Sequence, residues 1–222
     1  MSPPLVICSL AYQIPLARLR SIVATWLVPG VAGVVIVTDT PEIGLGWPVS
    51  PEAPNGRVRG VKTLEPRRRG AWRNLAAEQA PGGSVVAMID ADCALYDPGH
   101  TFAAATLGAV ELHGLVVYPP AWSSADEASR FLAGDASVLA AVSKRPKGSW
   151  SGTVALRRED ALRIRWDSRM VGWGFEDFDF YQRACQTLRP HVMPGHLAHI
   201  HHPPRQASKR SFLTNKRIAG RP

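Results

Sequence analysis

The sequence predicts an α/β domain in which a mostly parallel central sheet is flanked by helices. Short apolar and β-branched runs alternate with segments whose apolar residues recur at helical spacing, which is the pattern of β-α-β units. Polar and acidic residues directly follow several of these runs, at the edge where parallel sheets bind ligands. At 222 residues with 45% hydrophobic residues, the chain is long enough for one sizeable core, and we expect a single domain.

The first β-α-β unit occupies the amino-terminal part of the chain. Apolar strands over 5–10 and 34–37 enclose a helix over 15–27. The carboxyl ends of these strands would form a binding edge, on which we expect Ser9, Ala11, Tyr12 and Asp39. Neither a G-x-G-x-x-G nor a Walker sequence occurs at these turns, so neither a dinucleotide site nor a P-loop is favoured.

A strongly apolar strand over 84–89 runs into Asp90-Ala91-Asp92, and a helix over 69–79 precedes it. Side chains alternate along a strand, so Asp90 and Asp92 are predicted to project to the same side. Two such carboxylates repel each other unless a cation lies between or beside them. Mn²⁺ or Mg²⁺ holding a diphosphate would satisfy both. The alternative is a turn in which the aspartates bond to the local backbone.

The remaining periodic segments complete the α/β order. A short strand is expected within the Pro- and Gly-rich region 44–66. Further helices are expected over 97–110, 124–142 and 158–162. Further strands are expected over 115–118 and 192–200, and residues 151–156 are expected to form a small-residue turn followed by a strand.

Three carboxylates, Glu176, Asp177 and Asp179, lie within four residues. They are expected at the start of a helix with a buried stripe of Phe178, Tyr181, Cys185 and Leu188. Acids in a first helical turn complement the helix dipole and cap free N–H groups, which is the alternative to a catalytic role.

A Gly-Trp-Gly turn introduces these acids. Gly172 and Gly174 allow the backbone to bend and to approach a ligand closely. Trp173 offers a flat apolar face for a sugar ring or a base. The turn therefore favours a ligand site over simple helix capping.

Four histidines, at positions 196, 199, 201 and 202, lie close together near the end of the chain. In an extended segment His199 and His201 would face one side and His202 the other. With clustered carboxylates elsewhere, this group favours a metal ligand. A zinc peptidase or structural zinc site finds no support, because neither H-E-x-x-H nor a Cys pair occurs.

The net charge of +8 and a pI of about 9.9 favour an anionic partner. Basic residues gather at 67–69, in a loop over 144–150 that ends in Trp150, and in the tail from Arg205 to Arg221.

The three cysteines, Cys8, Cys93 and Cys185, are far apart in sequence and form no C-x-x-C, which indicates a reducing cytoplasm. No apolar run approaches the roughly 18 to 20 residues of a membrane span. The amino terminus is expected to be a first strand and not a signal peptide.

These motifs together resemble a known family. The sequences D-A-D, S-G-T-V-A-L-R-R-E, G-W-G-F-E-D-F-D and H-I-H-H-P-P occur in this order at 90–92, 151–159, 172–179 and 199–204. They resemble GT-A-fold glycosyltransferases, both family 2-like bacterial enzymes and the galactosyltransferase-type C-terminal domain. Arg73-Asn74 is similar to the Arg-Asn pair that family 2 enzymes carry ahead of the D-x-D strand.

The resemblance implies a GT-A catalytic domain over 1–204, with a nucleotide-sugar-binding half over 1–118 and an acceptor half over 119–204. The basic tail 205–222 would be a lid that lays Lys209 or Arg210 against the phosphates. The donor would be a nucleoside-diphosphate sugar, most simply a UDP-sugar, with Mn²⁺ or Mg²⁺ as cofactor. The implied donor-binding residues are Ser9, Ala11, Tyr12, Asp39, Arg73, Asp90 and Asp92.

The resemblance also implies roles in catalysis. Asp177 matches the general base and Glu176 the residue that binds the acceptor hydroxyl. Asp92 and His199 match metal ligands, with Asp90, His202 and His201 as further candidates. The implied acceptor-binding residues are Gly152, Trp173, Gly174 and Asp179. One carboxylate base acting in a single displacement would invert the anomeric centre.

Three alternatives remain open. The basic residues would also suit an enzyme that glycosylates modified bases in DNA, with phosphates on residues 67–69 and the tail. A nucleotidyltransferase of related fold would carry the same metal carboxylates but attack at phosphorus. A catalytically silent module that binds sugar or nucleic acid is the third.

Overall fold

The structure, a computed structural model, describes residues 2–12, 14–39, 58–63, 68–143, 153–172, 174–202 and 209–220. The strands are β1 (Leu5–Ala11), β2 (Val31–Thr38), β3 (Val58–Lys62), β4 (Val85–Met88), β5 (Cys93–Leu95), β6 (Gly114–Val117), β7 (Ala121–Trp122), β8 (Val154–Arg157), β9 (Arg189–Val192) and β10 (Leu197–His199). The helices are α1 (Leu16–Trp26), α2 (Arg69–Gln79), α3 (Phe102–His113), α4 (Ala125–Leu132), α5 (Val138–Ser143), α6 (Arg158–Ile164), α7 (Glu176–Ala184) and α8 (Lys209–Ile218).

Seven of these strands form the central sheet in the order β3-β2-β1-β4-β8-β6-β9. Strands β3, β2, β1 and β4 run parallel, β8 is antiparallel to both neighbours, and β9 is parallel to β6. A smaller sheet has the order β5-β10-β7. The prediction of a mostly parallel central sheet flanked by helices is therefore confirmed.

Two apolar layers cover the two faces of the central sheet. All seven residues of β1 are buried, and they alternate between the layers, with Ile7 in one and Cys8 in the other. Helices α1 and α3 contribute Trp26 and Phe102 to the first layer, and α2 contributes Trp72 to the second. A strand buried on both faces favours apolar residues along its whole length, which explains the apolar run that Ser9 alone interrupts in β1.

The chain departs from the sequence expectations where a short element or a turn interrupts a periodic segment. The helix expected over 124–142 is two helices, because Gly134 between them adopts φ +103°. The strand expected over 192–200 is also divided, and β9 and β10 lie in different sheets. Strands β5 and β7 have three and two residues, too few for a periodic signal.

The buried face of α7 also differs from the expected stripe. Phe178 is 38% exposed, and the buried residues are Glu176, Phe180 and Ala184. The Phe180 ring stacks on the ring of Trp166, with 3.6 Å between centroids. The helix is therefore rotated so that Glu176 faces the interior. This rotation buries Glu176, one of the acids expected at the start of the helix.

No helix within the described ranges is long and apolar enough to cross a membrane.

Candidate active site

Two arginines on α2 connect carboxylates from distant parts of the chain. Arg69 and Arg73 are four residues apart and lie on one face of the helix. Nη2 of Arg73 donates to Asp90 Oδ1 at 2.9 Å and to Asp177 Oδ2 at 3.2 Å. Nη2 of Arg69 donates to the same Asp90 oxygen at 3.1 Å, and its Nε lies 3.1 Å from Glu176 Oε1. We call these five residues the Arg–carboxylate cluster.

Burial strongly affects the pKa values of the groups in this cluster. The side chain of Arg73 has no exposed surface, and Glu176 is 2% exposed. Burial alone would lower the pKa of Arg73, but Asp177 and Asp90 beside it hold that pKa above its usual value. Carboxylates likewise hold the pKa of Arg69 above its usual range against the effect of burial. Both arginines therefore stay charged, as buried carboxylates require.

The surroundings of Asp177 bring the pKa of its carboxyl group close to neutral pH. Burial raises its pKa to about 7, although Arg73 acts in the opposite direction. A base is most effective when its pKa lies near the working pH. Its neighbour Glu176 retains a buried oxygen, Oε2, that accepts no hydrogen bond from the described part of the chain. That oxygen can accept a hydrogen bond from a ligand.

A tight turn orients these two acids. Gly172, Gly174 and Phe175 adopt positive φ angles of +76°, +100° and +75°, and α7 begins directly afterwards at Glu176. The element that approaches both glycines in the structure is α8. A Cβ atom would stand 2.7 Å from Ser211 Oγ at position 172, and 3.0 Å from Phe212 Cδ2 at position 174. Glycine is thus needed for backbone conformation and for helix contact at both positions.

Asp179 holds α7 in place through an ion pair within the helix. Its Oδ2 lies 2.8 Å from Arg183 Nη2. Arg183 also donates to the carbonyl oxygens of Ile164 and Arg165 at the end of α6. This arrangement gives Asp179 a structural partner, and the acceptor contact expected for it stays a prediction.

A second cluster consists of Asp92, His199 and His202. Nε2 of His202 lies 3.2 Å from Asp92 Oδ2, and Nε2 of His199 lies 3.6 Å from the same oxygen. One ligand atom from each residue lies within 4.8 Å of the others. Burial lowers the pKa of His199, although Asp92 acts to raise it, so the imidazole is neutral and able to bind a metal.

Neighbouring groups hold these histidines in place. Nη2 of Arg18 donates to the carbonyl oxygens of Ile200 and His201 at 2.6 and 2.9 Å. The Trp122 ring stacks on the His199 ring, with 4.1 Å between centroids. The backbone N–H of Ile200 donates to the Asp92 carbonyl at 2.8 Å, which ties the histidine segment to the D-A-D turn.

Two geometric expectations are wrong in this region. Asp90 and Asp92 do not share a side, because the chain turns at residues 91–92 and the Cys93 N–H donates to the Asp90 carbonyl. Asp90 consequently meets arginines while Asp92 meets histidines, and Asp90 does not join the histidine cluster. The expected pairing of His199 with His201 also fails, since the chain leaves its extended course after β10. His201 is exposed, and His202 turns back to His199.

The expected donor-binding residues lie at one edge of the sheet. Ala11 at the end of β1 pairs with Thr38 at the end of β2, and Asp39 follows as an exposed residue. The Tyr12 ring lies 6.4 Å from the Trp72 ring. Ser9 is buried in β1, and no described residue forms a hydrogen bond with its Oγ.

Several predicted features lie outside the described residues. They are Gly152, Trp173, Arg67, the loop over 144–150, the two prolines 203–204 of the histidine motif, and residues 205–208 and 221–222 of the tail. Sequence reasoning missed the individual role of Arg69 and the contributions of Arg18, Trp122 and Asn215. The spacing of four between Arg69 and Arg73 was the one available signal, since it places two cations on one helical face.

A cleft of about 790 Å³ runs between α2 and the segment that follows α6. Neither cluster contributes a residue to its lining. The cleft arginines Arg165 and Arg169 are already paired with Glu78 and Asp167. The two charged clusters therefore lie outside this cleft.

The order of the strands defines the GT-A fold predicted from the motifs. Acidic residues follow β4, and β8 runs antiparallel beside β4. The structure is similar to that of S. aureus TarS 1-349, with a TM-score of 0.65, 14% identity, and coverage of 97% of this chain and 64% of that one. GalNAc-T7 with UDP, GalNAc and Mn²⁺ gives a TM-score of 0.66 at 14% identity, with 98% and 47% covered. The mannosyltransferase PcManGT from Pyrobaculum calidifontis, in complex with GDP-Man and Mn²⁺, gives 0.59 at 17% identity, with 93% and 59% covered.

This chain thus spans between 47% and 64% of the length of these three proteins. At such low identity the similarity establishes the fold. No protein-family model matches the sequence, and no curated protein does.

Proposed function

We propose that the protein is a metal-dependent glycosyltransferase that moves a sugar from a nucleoside-diphosphate donor to an acceptor hydroxyl, with inversion. The observation that carries the proposal is the D-A-D turn, which directs Asp90 into the Arg–carboxylate cluster and Asp92 into the histidine cluster. Residues 90–92 thereby connect the cluster that contains Asp177, whose pKa is about 7, to the group of three side chains that could hold a metal ion.

The donor side rests on Asp92, His199 and His202. One carboxylate oxygen and two imidazole nitrogens suit Mn²⁺, whereas Mg²⁺ prefers an all-oxygen environment. A cation bound there would neutralise charge on the departing diphosphate. GalNAc-T7 and the mannosyltransferase were solved with Mn²⁺, and TarS 1-349 with UDP-GlcNAc, which supports a nucleotide-sugar donor. We propose a UDP-sugar, with its nucleotide on the edge formed by Ser9, Ala11, Tyr12 and Asp39.

The acceptor side rests on Asp177. Its carboxylate takes the proton of the acceptor hydroxyl as that oxygen bonds to the anomeric carbon, while the bond from this carbon to the diphosphate oxygen breaks. Arg73 orients the carboxylate and stays protonated throughout. Glu176 Oε2 accepts the hydrogen bond that aligns the acceptor, and Gly152, Trp173 and Gly174 are proposed to contact it. A single displacement inverts the anomeric centre.

The test is a donor screen. Purified protein is incubated with UDP-, GDP- and dTDP-sugars with and without Mn²⁺, and nucleotide release and thermal stability are measured. We expect one donor to stabilise the protein only with Mn²⁺, and D92A to lose that effect. D177N should keep donor binding but lose turnover, while D126N, at an exposed position on α4, should behave like the wild type. Donor binding with equal turnover in wild type and D177N would refute the proposal.

The same screen separates the other functions. Release of pyrophosphate instead of nucleoside diphosphate would identify a nucleotidyltransferase, and ligand binding without any turnover would identify a silent module. The DNA acceptor suggested by the basic residues gains no support. Arg69, one of the three arginines that it relied on, is engaged by Asp90 and Glu176.

We also propose a cytoplasmic location. All three cysteines carry free thiols, and Cys8 and Cys93 are buried. This arrangement is compatible with a reducing compartment.

A further inference from the structure

Helix α8 packs against the turn that leads into Glu176 and Asp177. We infer that this helix is a fixed part of the active site and that Asn215 is a positioning residue for the two acids. The inference rests on the proposed function for the identity of the reaction, but the positioning itself concerns the folded chain and can be tested separately.

Asn215 binds both ends of the turn. Its side chain is in effect fully buried, at 1% exposure. The carboxamide oxygen accepts from the Val171 N–H at 3.0 Å, and the carboxamide nitrogen donates to the carbonyl oxygens of Val171 and Gly174 at 3.2 and 2.8 Å. An Asn side chain can make about four hydrogen bonds, and Asn215 thus forms three of them with residues 171–174.

The turn is held from a second side by the start of α2. The backbone of Gly172 forms a parallel β-bridge with Arg68, which directly precedes Arg69. Phe212 of α8 packs edge-on against Phe175, with 5.6 Å between ring centroids. Gly172 and Gly174 therefore lie between α8 and the start of the helix that carries Arg69 and Arg73, and α8 leaves no room for a Cβ atom at either glycine.

This packing fixes the position of Asp177 relative to Arg73. Only two residues separate Gly174, which Asn215 binds, from Asp177, whose carboxylate must stay about 3 Å from Arg73. Removing the Asn215 carboxamide releases two carbonyl oxygens and one N–H in a turn with three positive φ angles. A displacement of about 1 Å at a reacting group costs on the order of 100-fold in rate. The metal cluster, by contrast, is held by Arg18, Trp122 and the D-A-D turn.

The experiment compares N215A with T214A, an exposed position on the same helix. Backbone hydrogen exchange over residues 170–178, Mn²⁺ affinity by calorimetry, and kcat and donor KM are measured for the full chain. In N215A we expect the Val171 amide to exchange at least ~10-fold faster, because its acceptor is lost, and kcat to fall ~10-fold or more. Mn²⁺ affinity and donor KM should stay within about 2-fold, and T214A should match the wild type.

Unchanged exchange in N215A would overturn the inference, as would faster exchange with an unchanged kcat. A parallel loss of Mn²⁺ affinity would also overturn it, because that result describes a general structural role. If N215A does not fold, N215L replaces it and the same criteria apply, since that variant keeps the approximate size of the side chain but removes both its donor and its acceptor. If the wild type turns over no donor, the proposed function fails, while the exchange result still decides whether Asn215 holds the turn.

Discussion

Replacing Arg73 with Met tests the Arg–carboxylate cluster most directly. The Arg73 side chain is fully buried and binds two carboxylates at 2.9 to 3.2 Å, whereas Asp90 also has Arg69 as a partner. Removing one partner of a buried ion pair costs about 3–5 kcal/mol. Asp177 keeps 18% of its side chain exposed and can take up a proton when Arg73 is absent, which reduces this cost. Above neutral pH we therefore expect the free energy of unfolding to fall by the lower end of this range, about 3 kcal/mol.

The stability that R73M loses relative to the wild type should increase with pH. The pKa of Asp177 in the folded protein, about 7, lies above its ordinary value of 3.8. Between these values the folded protein binds more protons than the unfolded chain, so ionisation of Asp177 makes stability fall as pH rises. Without Arg73 the pKa of Asp177 rises further, and the pH range in which stability falls with rising pH extends above pH 7. The deficit of R73M should therefore be larger at pH 8.5 than at pH 5.5, by about 1–2 kcal/mol.

Urea unfolding of wild type and R73M at pH 5.5, 7.0 and 8.5 measures this difference. The matched control is R163M, since Arg163 forms an exposed ion pair with Asp160 and half of its side chain is accessible. That pair should contribute at most about 1 kcal/mol, with little change across this pH range. A deficit of R73M that equals that of R163M, or that stays constant with pH, would refute the electrostatic account of the cluster.

Three further predictions concern the base, the metal and the turn. The kcat/KM of the wild type, measured from pH 5 to 9 by nucleotide release, should rise through about pH 7, because Asp177 must lose its proton to act as a base. Isothermal titration should show that H202A binds Mn²⁺ at least ~10-fold more weakly, since one of three ligands is lost; equal affinity would remove His202 from the site. G174A should lower the thermal midpoint more than G134A does. Both positions have φ near +100°, so both substitutions carry backbone strain, but only at position 174 does the new methyl group meet a neighbour, Phe212. Equal shifts would contradict the contact with α8.

Local sequence patterns predicted most of the regular elements. The helix expected over 69–79 agrees with α2, because its apolar positions recur at helical spacing and Pro81 and two glycines follow it. The strands expected over 5–10 and 84–89 agree with β1 and β4, since both are buried on two faces and are therefore formed by nearly continuous apolar runs.

The site was predicted in outline only. The sequence indicated that Asp92 and His199 belong together because of a family resemblance, and the structure brings them within 3.6 Å. It assigned His201 to the same side as His199 by assuming an extended chain, whereas the chain bends after β10 and brings His202 there instead. The error arose from a conformational assumption and not from the residue types.

By itself, the sequence determined the α/β class, the order of most helices and strands, and the kinds of charged residue available for chemistry. These properties follow from periodicity and composition, which are local. Only the tertiary structure decided that Arg69 contacts Glu176 and that Asn215 binds the turn before Asp177. It also decided that Asp90 contacts arginines whereas Asp92 contacts histidines. Such contacts join residues up to 110 positions apart. They depend on strand order and helix rotation, and no pattern within a short window contains that information.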